Sequence, residues 1–346
     1  MATREKLLIF TLIFNLLCIT CICDEKLVNI EGRVLLYKAY KGFHYFLNSH
    51  EDNIWRFDNN LKFVNKIGKR GEGPGELINL HNFNFVDNKI YLYSKGKISI
   101  FDLEGNLIQE IRNPFFSVKC ILKNGNIICK NREFIRSESG KLFIMETIRY
   151  CNKNFKELFK IIENKKEITP GFRFEAIEPL IDVKYSVKNR LFYISYPIKD
   201  FLIMIFDESG KKIGCIFKKY KRKIKVTKNF KKRFFDAILN DPIIKSKEMA
   251  EEVKKLTHFP KYFPPFHSFY INEDGNIYVR TYRRVKDKVE FEKYGKLGKY
   301  ICKYELPDNF INIADAQNYI AFSNNNYFYL YVNNEGNYIL YSEELE

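Results

Sequence analysis

The sequence contains none of the short motifs that carry the common kinds of catalysis. It has no nucleophile elbow, so Ser/His/Asp or Cys/His chemistry of the hydrolase kind is not supported. Acidic residues are fewer than basic residues: the chain has 42 Asp and Glu and 58 Lys and Arg, which gives a net charge of +16. Such an excess attracts polyanions such as nucleic acid, anionic lipid headgroups or acidic glycans. The lysines are scattered along the chain, however, which favours a drift of the whole composition over a built patch.

Aromatic and β-branched residues are abundant and favour an all-β protein. The chain has 23 Tyr and 32 Phe alongside many Ile and Val, and such side chains fit the pleated, half-buried surface of a sheet. Hydrophobic residues make up 46% of the chain, which excludes a disordered protein. The length of 346 residues is compatible with one large all-β domain.

Residues 1–23 predict a signal peptide or an N-terminal anchor. Arg4 and Lys6 precede an apolar run from Leu7 to Ile22, a length that suits a signal peptide better than a membrane-spanning helix. Cleavage after Cys23, lipid attachment at Cys21 and an uncleaved anchor all remain open. In each case we expect an exported protein, periplasmic, secreted or held at the cell surface, for which nucleic acid is an unsuitable partner.

One hairpin pattern recurs six times: an apolar strand that ends in an aromatic residue, a polar turn, and a second apolar strand. The six aromatic anchors are Phe57, Phe101, Tyr150, Phe206, Tyr294 and Tyr331. Their spacings are 44, 49, 56, 88 and 37 residues, and most are preceded by another hairpin with a Gly or Asn turn. Each unit therefore offers four short strands, which is typical of a propeller blade.

These units predict a single six-bladed β-propeller with four-stranded blades over residues 24–346. Neighbouring blades bury the two apolar faces that one sheet cannot bury alone. The long spacing of 88 residues between Phe206 and Tyr294 predicts one helical insertion between blades 4 and 5, at about residues 228–257. For closure of the ring, we expect the strand around Val34–Tyr37 to pair with the last blade near Tyr327–Tyr341.

The stretch Ile67–Leu77 (IGKRGEGPGEL) resembles the opening of an NHL repeat, and Asp87, Tyr91 and Phe101 also fit that repeat. The whole chain is similar to the bacterial exported six-bladed propellers of the NHL-like family, most of which have no assigned activity. The Gly-rich string also resembles a phosphate loop, but no Gly-Lys-Ser/Thr follows it and no helix opens after it. We therefore expect its glycines to permit positive φ in a link between blades.

The insertion is the first candidate for a functional element. Lys228–Leu239 has a helical pattern, and Asp241 followed by Pro242 predicts a second helix that runs to about Leu256. Long insertions are often lids or binding loops, and a decoration of the family without function is the alternative. Ten of the sixteen residues from Lys218 to Arg233 are Lys or Arg. These cations suit an anionic polymer or, as we favour, the solvated face of an outer strand.

Three histidines suggest a metal site. His44, His81 and His267 each lie nine or ten residues before an isoleucine of a predicted second strand. This spacing places all three near the start of an inner strand, at one mouth of the central channel. Imidazoles that converge there would resemble the zinc-dependent amidating lyases among NHL-like propellers, with nitrogen ligands about 2.0–2.1 Å from zinc. No Asp or Glu recurs at these positions, and chance placement is the alternative.

Five cysteines follow the targeting segment, and two of them predict a disulfide. A two-residue turn at Asn124-Gly125 would pair Cys120 with Cys129 across a hairpin, at a site where Cα atoms lie about 4.5 Å apart. Export makes oxidation feasible, and two buried free thiols are the alternative. The remaining three cysteines show no paired metal-ligand spacing.

Two hypotheses for function follow. The first is a non-enzymatic binding or scaffold propeller outside the cytoplasm, with a peptide, glycan or protein partner on the face that carries the Gly-rich loop and the insertion. It needs no cofactor, and its candidate binding residues are Arg70, Glu72, Glu76, Tyr262 and His267. The second is a metal-dependent lyase or hydrolase, with zinc or calcium at the channel mouth. Propellers host both kinds of function, so the fold alone does not choose between them.

Overall fold

The computed structural model describes residues 23–113, 118–167, 174–179, 181–239, 246–286, 288–307, 319–323, 325–333, 335 and 337–345. Within these residues, six four-stranded antiparallel sheets form the blades of a propeller, as predicted from the sequence. The predicted targeting segment lies outside the described residues except for Cys23.

The described chain starts with β1 (Cys23–Val28), and blades 1 to 3 follow, each from its innermost to its outermost strand. Blade 1 consists of β2 (Val34–Tyr40), β3 (Phe43–Asn48), β4 (Asn53–Phe57) and β5 (Phe63–Ile67). A short parallel pair, β6 (Lys69–Arg70) and β7 (Glu76–Leu77), lies in the next link. Blade 2 consists of β8 (Asn82–Val86), β9 (Lys89–Ser94), β10 (Lys97–Asp102) and β11 (Leu107–Arg112). Blade 3 consists of β12 (Val118–Ile121), β13 (Ile127–Arg136), β14 (Leu142–Cys151) and β15 (Glu157–Glu167).

Blades 4 to 6 complete the ring. A parallel pair, β16 (Phe174–Glu175) and β21 (Thr257–His258), joins two links. Blade 4 consists of β17 (Val183–Ser186), β18 (Leu191–Ser195), β19 (Phe201–Asp207) and β20 (Lys212–Lys218). Blade 5 consists of β22 (Ser268–Ile271), β23 (Ile277–Val285), β24 (Lys288–Tyr294) and β25 (Tyr300–Pro307). Blade 6 consists of β26 (Ile320–Ser323), β27 (Asn326–Val332), β28 (Tyr338–Glu344) and, outermost, β1.

The hydrophobic core lies between the blades. Tyr45 and Leu47 of blade 1 pack against Phe83 and Leu92 of blade 2, and all four are fully buried. Similar clusters join each further pair of neighbouring blades, including blade 6 with blade 1. Because burial of one large apolar side chain stabilises a fold by about 1.5–3 kcal/mol, these clusters hold the ring together without a separate central core.

Closure of the ring differs from the prediction. The closing strand is β1, which pairs antiparallel with β28 and places Cys23 opposite Glu343. Val34–Tyr40 forms the innermost strand of blade 1 instead. The predicted anchor Tyr331 therefore lies on the second strand of its blade, whereas the other five anchors lie on third strands. The offset arises because the outermost strand of blade 6 is β1. The last hairpin of the chain therefore joins the second and third strands of its blade, whereas in the other blades the corresponding hairpin joins the third and fourth strands.

The two faces of the disc carry different connections. The turn face carries the tight turns between first and second strands and between third and fourth strands. The link face carries the connections from the outermost strand of one blade to the innermost strand of the next. Since all inner strands run in the same direction, the Gly-rich loop (residues 68–75) and the insertion (residues 219–267) both lie on the link face.

The insertion contains two helices, α1 (Lys228–Leu239) and α2 (Lys247–Leu256). The predicted cap Asp241 lies outside the described residues, and α2 is capped by Ser246, whose hydroxyl accepts a hydrogen bond from Met249 N at 3.2 Å. In the described part of the chain, neither helix has the length and hydrophobicity that crossing a membrane requires.

A small core of its own packs the insertion onto the propeller. Val226 and Phe263 are buried together with Ile177 from the link between blades 3 and 4. Tyr282, on the extended part of β23, stacks on Phe263 with ring centroids 4.3 Å apart. The insertion is therefore attached to blade 5 and to a neighbouring link.

The basic run that leads into α1 is not an outer strand, which corrects the interpretation favoured from the sequence. The outermost strand of blade 4 ends at Lys218. The residues that follow form an irregular link, in which Lys225 lies opposite Tyr262 in an isolated β-bridge. The alternation of lysines along residues 221–225 therefore does not reflect one face of a sheet.

Candidate functional site

A central channel runs along the inner strands and contains a cavity of about 970 Å³. Its lining comes from the inner strands of all six blades. Tyr40 and Phe85 supply an apolar wall, with their rings stacked and 4.2 Å apart. A cavity that combines such surfaces with a few convergent polar groups is the default candidate for a binding site.

Lys38 contributes the first charge in this channel. Its ammonium donates hydrogen bonds to the carbonyl of Phe83 and to Asn84 Oδ1, the second at 2.6 Å. The same Asn84 donates from Nδ2 to the carbonyl of Lys119 at 2.9 Å. One side chain of blade 2 thus connects the inner strands of blades 1 and 3.

Lys119 and Lys184 add two further cations, and Asp182 adds one anion. Lys184 Nζ lies 2.9 Å from Asp182 Oδ2, and both residues lie at the start of the inner strand of blade 4. Lys119 is half-buried in the inner strand of blade 3. Among the residues that the structure describes, its ammonium forms no hydrogen bond or ion pair.

The pKa values show that these four groups interact. Burial, together with the neighbouring cation of Lys184, lowers the pKa of Lys38 to about 7. Burial also lowers the pKa of Lys119. Burial alone would raise the pKa of Asp182, but the cations of Lys184 and Lys119 and a backbone hydrogen bond hold it at about 2. The carboxylate is therefore ionised at neutral pH, and Lys38 is poised between its charged and neutral forms.

Charges at the turn-face mouth are mostly balanced. Lys188 Nζ lies 2.7 Å from Asp274 Oδ1, and Asp87 Oδ1 lies 3.0 Å from the ammonium of Lys123. Glu273 accepts a hydrogen bond from the hydroxyl of Ser323 at 2.6 Å. The excess of positive charge is therefore found farther inside the channel.

The predicted metal ligands are not brought together. His44 lies on β3, a second strand, because the isoleucine used to place it, Ile54, belongs to a third strand. Its buried imidazole lies with Nδ1 2.8 Å from the hydroxyl of Tyr37, and burial lowers its pKa to about 4. Phe328 of blade 6 packs edge-on against it. His44 is therefore a core residue between blades 1 and 6.

His81 and His267 do lie just before inner strands, but in blades 2 and 5. His81 is exposed, and its Nδ1 lies 3.2 Å from the carbonyl of Asn79. His267 is buried with Nδ1 2.9 Å from the hydroxyl of Ser268, and it lines a second cavity of about 210 Å³ beside the insertion. Within the described ranges, no group of three or more His, Cys, Asp or Glu is arranged to hold a metal ion.

The Gly-rich loop is built as a link, and three of its four glycines, Gly68, Gly71 and Gly75, take positive φ as predicted. At Gly71, where φ is 150°, an added Cβ would lie 2.2 Å from Glu76 Oε2. Glu76 accepts a hydrogen bond from Gly73 N at 2.8 Å and lies 3.0 Å from the ammonium of Lys69. This carboxylate therefore stabilises the loop itself.

The other predicted binding residues do not form one site. Glu72 is exposed in the Gly-rich loop. Arg70 lies 3.6 Å from Asp52 Oδ2 and donates to the carbonyl of His50 at 3.3 Å. Tyr262 is exposed in the insertion. The two links that carry Arg70 and Tyr262 follow blades 1 and 4, which lie on opposite sides of a six-bladed ring.

The pairing that predicted a disulfide is wrong. A register shift between Val118 and Cys120 places Cys120 opposite Ile128, whereas Cys129 lies opposite Val118. Cys120 packs in the cluster between blades 3 and 4, and Cys129 packs in the cluster between blades 2 and 3. Both thiols are free and buried, on opposite faces of their sheet.

Sequence reasoning missed the channel lysines, although a signal was present. Lys38, Lys119 and Lys184 are each the one cation in a short apolar strand: VLLYKAY, VKCI and VKYS. A lone lysine in an innermost strand has the central channel as its accessible polar environment, since both faces of the blade are buried.

Several solved structures are similar to this chain over most of their length. No curated protein sequence matches it. A member of the duf4221 family from Bacteroides vulgatus is similar in structure, with 11% identity, a TM-score of 0.49, and coverage of 93% of this chain and 95% of that one. A streptogramin B lyase has 9% identity, a TM-score of 0.39, and coverage of 94% and 88%. The calcium-binding protein regucalcin from Agrobacterium tumefaciens has 12% identity, a TM-score of 0.41, and coverage of 93% and 95%.

A sequence model of a protein family matches most of the chain. The model of the family DUF5128, described as a 6-bladed β-propeller, matches residues 24–312. The match covers most of the chain and includes the channel residues Lys38, Lys119, Asp182 and Lys184. The protein belongs to this family of 6-bladed β-propellers.

Proposed function

We propose that this protein is a non-enzymatic binding propeller that acts outside the cytoplasm and takes a small ligand, or one end of a peptide or glycan, into its central channel. The observation that carries the proposal is the cavity of about 970 Å³ lined by all six inner strands. Pockets that hold small ligands measure roughly 300–1,000 Å³. Tyr40 and Phe85, which line this cavity, offer apolar surface for a sugar or an apolar side chain.

The channel supports binding better than metal-dependent catalysis. A metal-dependent lyase or hydrolase needs ligands that converge on one ion, and His44, His81 and His267 lie in three different environments. No observation on the described residues favours that second hypothesis.

Action outside the cytoplasm rests on the sequence. The basic lead and apolar run of residues 1–23 resemble a signal peptide, and Ile67–Leu77 resembles the NHL repeat of bacterial exported propellers. In the propeller, β1 starts at the turn face, since Cys23 lies opposite Glu343 near the end of a third strand. An N-terminal lipid or anchor would therefore hold the turn face toward the membrane and direct the insertion away from it.

The test is a ligand screen combined with a blocked channel. Sugars, sugar acids and short peptides are screened by thermal shift on the purified protein. Ala39→Trp and Val187→Trp each place a large ring in the cavity, which both residues line. Ser139→Trp, at an exposed hairpin tip, is the matched control.

Ligands that stabilise the wild type and the Ser139→Trp control, but neither blocked variant, support the proposal. Ligands whose effect survives both blocks would locate binding outside the channel and overturn it. Val187 lies in a turn at the channel mouth, so its variant keeps the test valid if Ala39→Trp does not fold.

A further inference from the structure

We infer that the channel ligand carries two negative charges on oxygen, as in a phosphate monoester or a dicarboxylate, and that Lys38, Lys119 and Lys184 bind them. The inference rests on the proposed binding function of the channel and names the class of its ligand.

The three ammonium groups come from three different blades. Lys38 belongs to blade 1, Lys119 to blade 3 and Lys184 to blade 4, and all three line the same cavity. Asn84 accepts a hydrogen bond from Lys38 at 2.6 Å and donates one to the backbone carbonyl of Lys119 at 2.9 Å, which ties the Lys38 ammonium to the strand that carries Lys119. These lysines are far apart in the sequence, and only the closed ring brings them to the same cavity.

The charge of the cluster is not balanced from within. Asp182 lies 2.9 Å from Lys184 and compensates one positive charge. With all three lysines protonated, two positive charges remain without a carboxylate in direct contact. Each ammonium can donate three hydrogen bonds, and that of Lys119 makes none to the described residues. A dianion would supply both the missing charge and the acceptors.

Other charged groups of the cavity lining do not remove this excess. Lys41, Lys188, Asp87 and Glu273 lie at the turn-face mouth. There Asp87 lies 3.0 Å from Lys123, and Lys188 lies 2.7 Å from Asp274. A cavity of this size suits a small dianion better than a polymer, which would need an open groove.

The experiment measures binding of defined anions to the full chain by isothermal titration calorimetry. The probes are inorganic phosphate, malonate, acetate and glucose. Lys119→Met removes the ammonium and keeps an unbranched apolar side chain. Lys95→Met, at an exposed position outside the channel, removes the same charge and is the matched control. Lys119→Arg retains the positive charge.

We expect phosphate or malonate to bind the wild type and Lys95→Met more tightly than acetate, and glucose not to bind. In Lys119→Met the affinity should fall by about tenfold or more, since charge-assisted hydrogen bonds to oxyanions are strong, and Lys119→Arg should restore most of it. Preference between the two dianions tells a phosphate ligand from a dicarboxylate ligand.

Two results would overturn the inference. One is the absence of binding by either dianion, and the other is equal binding by Lys119→Met and Lys95→Met. The blocked-channel screen separates this failure from failure of the proposed function. Neutral ligands lost on blocking the channel would leave the binding function standing and show that its ligand is not a dianion.

Discussion

The ammonium of Lys184 lies 2.9 Å from the carboxylate of Asp182, two residues earlier in the chain, and both line the central channel. The alternation of an extended strand places residues i and i+2 on the same side, so the pair forms within one blade. Lys38 and Lys119, from other blades, have no such carboxylate on their own strand. Asp182 therefore sets how much positive charge the channel offers to a ligand.

Asp182→Asn is expected to destabilise the free protein and to tighten anion binding. Neighbouring cations hold the pKa of Asp182 at about 2, below its ordinary value of about 3.9, so the ionised carboxylate contributes about 2 kcal/mol at neutral pH. Because this pKa is lowered in the fold, the contribution is present above about pH 4 and is lost as pH falls toward 2. Without the carboxylate, the positive charge of Lys184 is no longer compensated and acts fully on the ligand.

Urea unfolding and calorimetric titration with phosphate and malonate measure the two effects of Asp182→Asn. Asp274→Asn is the matched control, because its exposed carboxylate pairs with Lys188 at the surface and such pairs contribute at most about 1 kcal/mol. A variant that loses stability and also loses anion affinity would contradict the proposed role of Asp182.

Anion affinity should depend on pH through Lys38. Burial and the cation of Lys184 lower its pKa to about 7, whereas an unfolded lysine keeps its proton to about pH 10. A bound anion favours the protonated form of Lys38. The affinity for malonate, whose two carboxylates stay ionised around neutral pH, should therefore decrease as pH rises above about 7. The free protein should show the opposite trend: between about pH 7 and 10 the unfolded chain binds more protons, so the free energy of unfolding rises.

Titrations with malonate from weakly acidic to alkaline pH, with wild type and Lys38→Met, check this. The groups that act on Lys38 are Lys184, Asp182 and the buried thiol of Cys120. The variant should bind more weakly below neutral pH and should lose most of the pH dependence, whereas Lys95→Met should retain it. An unchanged pH profile in Lys38→Met would assign the dependence to another group.

The cysteines should react in an order set by burial. Cys215 is exposed and should react with iodoacetamide in the folded protein. Cys120 and Cys129 are buried, and burial raises the pKa of the Cys120 thiol, which disfavours the reactive thiolate. In the unfolded, unreduced protein both should be labelled, as read by mass spectrometry of peptides. Protection of this pair until reductant is added would show a disulfide and contradict the observed register.

The fold was largely predictable because a propeller repeats its pattern. Aromatic anchors such as Phe57 and Phe101 lie at equivalent positions of equivalent strands, so periodicity alone counts the blades. Closure was not predictable in the same way. The strand of Cys23–Val28 pairs with Tyr338–Glu343 across almost the whole length of the chain, and no local pattern encodes such a long-range pairing.

The site was less predictable, because it depends on which strand a residue occupies. Counting back from Ile54 predicts an inner-strand position for His44, but Ile54 lies on a third strand, so His44 lies on a second strand and in the core. A one-residue register shift likewise separated Cys120 from Cys129. Lys119 and Lys184 come together only through ring geometry, which brings the inner strands of successive blades side by side.

The closing strand β1 has one buried and one exposed face. Val28 and Leu27 are neighbours on β1, so their side chains lie on opposite faces. Val28 is 2% exposed and packs in the cluster between blades 6 and 1, whereas Leu27 is 61% exposed. Val28→Ala should therefore lower the free energy of unfolding by about 2 kcal/mol, and Leu27→Ala should change it by less than about 0.5 kcal/mol. Guanidinium unfolding followed by circular dichroism measures both. Equal effects of the two substitutions would mean that β1 does not close blade 6 in solution, since only that pairing distinguishes the two faces of the strand.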